Sequence, residues 1–234
     1  MASPLSTTPV ALRDDATRAD FIANVYRHLT GAVAAFLVFE VLAFTTGVAR
    51  AAYDLLAGAR GGWLLVLGGF MIVSWLATTA AHDTANPSRQ YAGLFGLAAA
   101  EALIFAPFLY LVFNQQGGTA TVASAAVLTV VGFGALSAVA FATRRDLSFL
   151  RPMVMWAMVS GLLLIVAAVA FGLQLGVWFS LAMIVVAGAS ILYQTQAVMR
   201  DYPPEAYVGA AVQLFASVML LFWYVLRLLS QLRN

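Results

Sequence analysis

Seven stretches of this chain run for about 20 residues with almost no charge, the length a helix needs to cross a hydrocarbon core of roughly 30 Å. Inside lipid a backbone amide finds no water, so each span must satisfy its own hydrogen bonds, and a helix does so within one segment. The spans fall at residues 26–48, 63–81, 91–113, 119–142, 153–173, 177–199 and 206–230. Hydrophobic residues make up 63% of the 234, and charged ones 9%, where a soluble domain carries roughly a quarter charged. The fold class this demands is an all-α membrane protein, a seven-transmembrane-helix bundle. Trp63, Tyr91, Trp178 and Tyr207 stand at span ends, where an amphipathic ring favours the interface. The division between the fifth and sixth spans is the weakest, since one apolar stretch runs through both and leaves only a tight turn near residues 174–176.

Residues 1–20 are polar and hold Asp14, Asp15 and Asp20 with no apolar core, so they do not read as a cleaved signal peptide. They are expected to form a flexible cytoplasmic tail whose last turns begin the first helix, with residues 21–234 as the membrane domain. Orientation follows from the arginines. With seven crossings one side collects Arg13, Arg18, Arg27, Arg89, Arg144, Arg145, Arg151 and Arg200, and the other Arg50, Arg60, Arg227 and Arg233. The positive-inside rule then places the N-terminus in the cytoplasm and the C-terminus outside.

The residues that are missing narrow the chemistry. There is no cysteine and hence no disulfide or thiolate site, and there is no lysine and hence no Schiff base to a retinal. His28 and His82 sit at the cytoplasmic boundary, where solvated histidines are the ordinary case. No nucleophile–base pair or metal-ligand cluster lies within a span, so neither an enzyme, a metal nor a cofactor is expected. The small net charge gives no reason to expect nucleic acid; the surroundings this chain is built for are the lipid bilayer.

Three segments carry a family resemblance. Thr143-Arg144-Arg145-Asp146-Leu147-Ser148-Phe149-Leu150, between the fourth and fifth spans, resembles the T-[KR]-[RK]-D-[LM]-S-F-L loop of the Bax inhibitor-1 family almost residue for residue. Leu192-Tyr193-Gln194-Thr195-Gln196 is similar to the family's Y-D-T-Q, and the run from Tyr207 to Leu229 looks like its last helix. Asn24-Val25-Tyr26 and Pro107 also fit. The resemblance implies a seven-helix bundle of Bax inhibitor-1 type, with six helices around the seventh.

In many family members two aspartates, in the sixth and seventh spans, form a pH-sensitive pair that gates a calcium leak. The matching positions here are Gln194 and Ser217, which do not titrate and are poor ligands for a divalent cation. Counting back and forward from Pro203 and Pro204 puts these two at similar depth on antiparallel helices, facing each other. A bacterial branch that lacks the seventh-span aspartate is associated with a membrane-anchored AAA protease, and the chain resembles that branch most. The resemblance therefore implies a non-enzymatic regulatory or interaction protein of the bacterial inner membrane. Its expected partner is a membrane protein complex such as a quality-control protease, with a pH-sensitive proton or calcium leak as the alternative. The sequence leaves its oligomeric state open.

Read for its own chemistry, the loop offers Arg144, Arg145 and Arg151 to anionic headgroups, while Asp146 pairs with an arginine or caps the next helix and Ser148 is a second capping candidate. Two acids remain deep in spans, Glu40 in the first and Glu101 in the third. A charge at bilayer depth costs about 2.5–3.5 kcal/mol on insertion scales, so both are expected to face protein, neutral or hydrogen-bonded. Counted from Tyr26 and Tyr91 they lie at roughly 21 and 15 Å depth, near enough to consider a substitute acidic pair. Glu40 shares its stripe with Val33, Phe36, Leu37 and Phe44, and Glu101 with Leu94, Leu97, Phe105 and Phe108. Arg227 is expected to snorkel to the outer interface.

Overall fold

The structure, a computed structural model, describes residues 8–58, 61–143 and 145–233. Among these residues it is all helical, with eight α-helices: α1 (Asp15–Thr45), α2 (Val48–Gly58), α3 (Gly62–Ala81), α4 (Pro87–Phe113), α5 (Gly118–Ala142), α6 (Leu150–Phe171), α7 (Val177–Arg200) and α8 (Tyr207–Arg233). All but α2 are long and apolar enough to cross a membrane. Seven crossings leave the chain ends on opposite sides, named here the N face and the C face.

Helix ends follow local chemistry. Asp14 accepts from the backbone N–H of Thr17 (2.9 Å) and starts α1, and Asn86 accepts from that of Arg89 (3.3 Å) ahead of Pro87 in α4. The break between α6 and α7 comes from Gly172, whose φ of 67° is left-handed and turns the chain after Phe171. Gly93 brings α3 and α4 together: a methyl group there would collide with the Ala77 carbonyl and lie 2.6 Å from the Ala81 nitrogen.

Three features depart from the sequence expectations. The last turns before residue 21 begin α1, as expected, but residues 10–13 ahead of it are docked rather than loose. Val10–Leu12 form a short 3₁₀ turn, Val10 is buried, and its N–H donates to the Tyr202 carbonyl (2.8 Å), strapping the α7–α8 turn to α1. The apolar N-terminal turn finds a partner there that a reading of its polar neighbours does not reveal. The link after the first span forms α2, which packs on α4 with Tyr53 against Tyr110.

Third, α8 packs on α1, α3, α4, α5 and α7, but α6 packs chiefly on α7 and stands off from α8. The seventh span is thus central without being fully encircled. Lipid solvates an all-round apolar helix as well as protein does, so α6 gains nothing from burial.

Candidate functional site

Between α3 and α6 lies a cavity of about 950 Å³, floored by α4, α7 and α8. It runs from Thr78, Val154 and Gln213 toward the N face to Trp63, Leu175 and Arg227 at the C face. Its walls are mostly apolar, with Phe70, Phe105, Phe108, Met155, Met158 and Trp223 prominent, and few polar side chains break them. Met155, Met158 and Val159 line it while staying more than a third exposed, so it opens sideways between α3 and α6.

Gln194 and Ser217 meet on its floor. The Ser217 hydroxyl donates to Gln194 Oε1 (2.8 Å) and lies 2.9 Å from the Ser190 hydroxyl. Ser217 has one proton, so Ser190 must donate to it, giving a directed chain Ser190→Ser217→Gln194. All three are uncharged, and Ser190 and Ser217 are buried. The helix hairpin brings them together because both lie a similar count from the 201–206 turn.

Glu101 reaches the same cavity from α4. On parallel α4 and α8, Tyr91 and Tyr207 both flank His28, and Phe105 stacks on Phe222 (5.4 Å). Residues about 117 positions apart are therefore level, which sets Glu101 beside Val218, one residue from Ser217. Glu101 is buried, Leu97, Ile104 and Phe105 of the same helix line the cavity with it, and among the described residues no hydrogen bond is formed to its carboxyl. The expected stripe of Leu94, Leu97, Phe105 and Phe108 is the one it shares.

Glu40 lies elsewhere, and the substitute pair does not form. Phe36 meets Phe105 and Phe44 meets Phe113, so level residues of α1 and α4 stand 69 positions apart. Glu40 is then level with Leu109, eight residues or about 12 Å from Glu101 along the axis. It does not line the cavity, and both its carboxyl oxygens are buried without a partner. Taking Tyr26 and Tyr91 as a common zero failed because the two helices are offset in register. Phe36 belongs to the buried stripe as expected, but Leu37 is 56% exposed and faces outward.

Arg227 does not snorkel freely. Its guanidinium donates to the Leu175 carbonyl (3.0 Å) and lies over the Phe179 ring, 5.6 Å from the centroid. Gln231 donates to the same carbonyl (3.0 Å), and Arg233 donates to the Gly117 carbonyl (3.0 Å) and Thr121 hydroxyl (2.8 Å). The end of α8 thus clamps two connections of the C face, those that follow α4 and α6. On the N face, His28 is enclosed: one ring nitrogen lies 2.7 Å from the Asn24 carbonyl, the other 3.1 Å from the Tyr91 hydroxyl. His82 is exposed and bonded to the Thr78 carbonyl (2.7 Å).

Arg144 lies outside the described residues. The rest of its loop is held by a residue the sequence reading had not singled out. Gln196 Oε1 accepts from the Leu147 N–H (2.7 Å), and its Nε2 donates to the Arg145 carbonyl (2.8 Å). Its place as a letter of the Leu192–Gln196 motif was the one trace of it in the sequence. Asp146 accepts from the Ser148 N–H (2.8 Å) and pairs with Arg200 on α7 (3.5 Å). Neither Asp146 nor Ser148 caps α6, because Phe149 stands at its N-cap position without a side-chain bond. The Ser148 bonds, aided by Arg200, hold the exposed Asp146 carboxyl below the usual range.

The arrangement of loop, helix hairpin and central helix is matched along the chain by a family model described as "Inhibitor of apoptosis-promoting Bax1", over residues 18–234. The chain belongs to the Bax inhibitor-1 family. It is also 26% identical over 215 residues to an uncharacterized protein of Pseudomonas aeruginosa, covering 88% of this chain and 89% of that one. Within the Bax inhibitor-1 fold, the motif residues Gln194 and Gln196 do two separate jobs two residues apart: one turns inward to the cavity floor, the other outward to the loop.

Proposed function

We propose that this Bax inhibitor-1 family protein is a non-enzymatic regulatory or interaction protein of the bacterial inner membrane, acting on a larger membrane complex such as a quality-control protease. The observation that carries this reading is the Ser190→Ser217→Gln194 chain, which fills the place of the acidic pair with groups that cannot titrate and already satisfy one another. With the N-terminus in the cytoplasm, as the arginine distribution favours, the face offered to a partner is the loop pinned by Gln196, with Arg145, Arg151 and Arg200 around it. In a pull-down from native membranes in mild detergent, the wild type should retain a membrane complex that an R145A/R151A variant loses. Purified wild type in liposomes should be ion-tight. A calcium or proton flux that wild-type protein supports would overturn the reading.

A second reading, a proton- or cation-permeable leak, has one observation in its favour: Glu101 lies level with Ser217 in the same cavity. Replacing Gln194 and Ser217 with aspartate restores two close carboxylates, which titrate as a coupled pair. On this reading the wild type conducts, and the double variant should show a stronger, pH-dependent cation flux. A folded, ion-tight double variant would mean that the surrounding path is closed as well.

A further inference from the structure

We infer that the cleft between α3 and α6 is a binding site for a lipophilic organic cation, with Glu101 as the group that receives the charge. The site is separate from any protein-contact surface on the N face, and the inference stands whether or not the proposed function does.

Several observations converge. The cavity's 950 Å³ lies within the ~300–1,000 Å³ range of small-molecule sites, which are mostly apolar with a few convergent polar groups. Glu101 is its one acidic side chain, more than nine-tenths buried and without a hydrogen-bond partner. A carboxyl at this depth needs a donor or a counter-charge, since an unpaired buried polar group is costly. Phe70, Phe105, Phe108 and Trp223 line the same cavity. Electron-rich rings attract a desolvated cation, and most strongly where water is excluded. The lateral opening past Met155 and Met158 faces the lipid, from which such a molecule would come.

Arg227 decides between a cation and an anionic amphiphile. It is nine residues, about 13 Å, beyond the level of Glu101, and it already donates to Leu175 and lies over Phe179. The lone arginine of the cavity is engaged, while the lone carboxyl is not. The unmet demand is for positive charge at mid-depth.

Tetraphenylphosphonium tests this, since it carries charge and aromatic surface but no hydrogen-bond donor. Isothermal titration of the purified full chain in detergent should show saturable one-to-one binding. E101Q should weaken it at least tenfold, E101D should retain most of it, and E40Q should leave it unchanged. A proton and the cation compete for one carboxylate, so affinity should fall as pH is lowered in the wild type and not in E101Q. The other titratable groups lining the cleft, Tyr224 and Arg227, lie toward the C face and remain in both proteins. A216W, which fills the cleft and spares the carboxyl, should also abolish binding. Thermal melting and gel filtration establish that each variant is folded. Absence of saturable binding to folded wild type, equal affinity in E101Q, or binding of laurate in place of the cation would each overturn the inference.

Discussion

Helices α8 and α6 are both apolar spans, yet 67% of the α8 window is buried in protein and 11% of the α6 window. The more hydrophobic of the two is α6, the most apolar span of the seven. In a water-soluble protein the order would be reversed. In a bilayer, hydrocarbon already solvates leucine and valine, so apolarity does not drive a helix to the centre. Close backbone approach and polar contacts do. The α8 sequence supplies both: Gly209, Ala210 and Ala211 pack tightly at its start, Ser217 bonds at its middle, and Arg227, Gln231 and Arg233 bond at its end. Along α6, Gly161 and Ala168 are its buried positions, and Leu163, Leu164 and Phe171 face outward.

The contrast can be broken most directly by volume. Ala211→Leu adds three carbons at a position with no exposed surface, and should cost about 1–3 kcal/mol or prevent folding. Leu163→Ala removes as much from the exposed side of α6 and should change stability by less than ~0.5 kcal/mol. Unfolding in mixed micelles measures both, and equal losses would remove the distinction. A smaller effect sharpens it. Ser217→Ala cuts the chain between Ser190 and Gln194 and should cost about 0.6 kcal/mol, the average for hydrogen bonds between membrane helices, while Ser160→Ala on the exposed side of α6 should be silent.

The smallest change is expected outside the membrane, in the loop that links α5 to α6. The folded Asp146 carboxyl is lowered, so its contribution is complete above the ordinary aspartate range near ~3.9 and is lost as pH falls through the lowered folded value. D146N should remove that dependence. Protection of the loop from an acid-active protease is the readout, and identical digestion of wild type and D146N across the acid range would argue against the role given to Asp146.

The spans were legible because bilayer thickness imposes a length that the sequence must obey. The α6–α7 division was harder, since apolar residues continue across it and the break rests on the backbone of Gly172. The meeting of Gln194 and Ser217 was legible by counting, because a short turn ties adjacent antiparallel helices to one zero point. Glu40 and Glu101 had no such tie. Their relative height depends on how α1 and α4 slide past each other, which the Phe36–Phe105 contact fixes and no spacing rule contains. The short α2 and the docking of Val10 were hidden for a related reason: both are set by the surface they land on. Gln196 was visible as a motif letter, but its partners are main-chain atoms of a loop, and those carry no sequence signal.

The position of α8 also bears on how the protein is made. The helix against which five others rest is made after all of them, and its final turns hold Leu175 and Gly117 in place. Until it is inserted, α1, α3, α4, α5 and α7 lack their common partner, and the turns after α4 and α6 have no clamp. A nascent chain arrested before Tyr207 would therefore present two groups of helices, α1–α4 and α5–α7, without the helix that does most to join them. A premature stop within α8 would remove the keystone of the assembly, so completing this fold waits on the synthesis of that one helix.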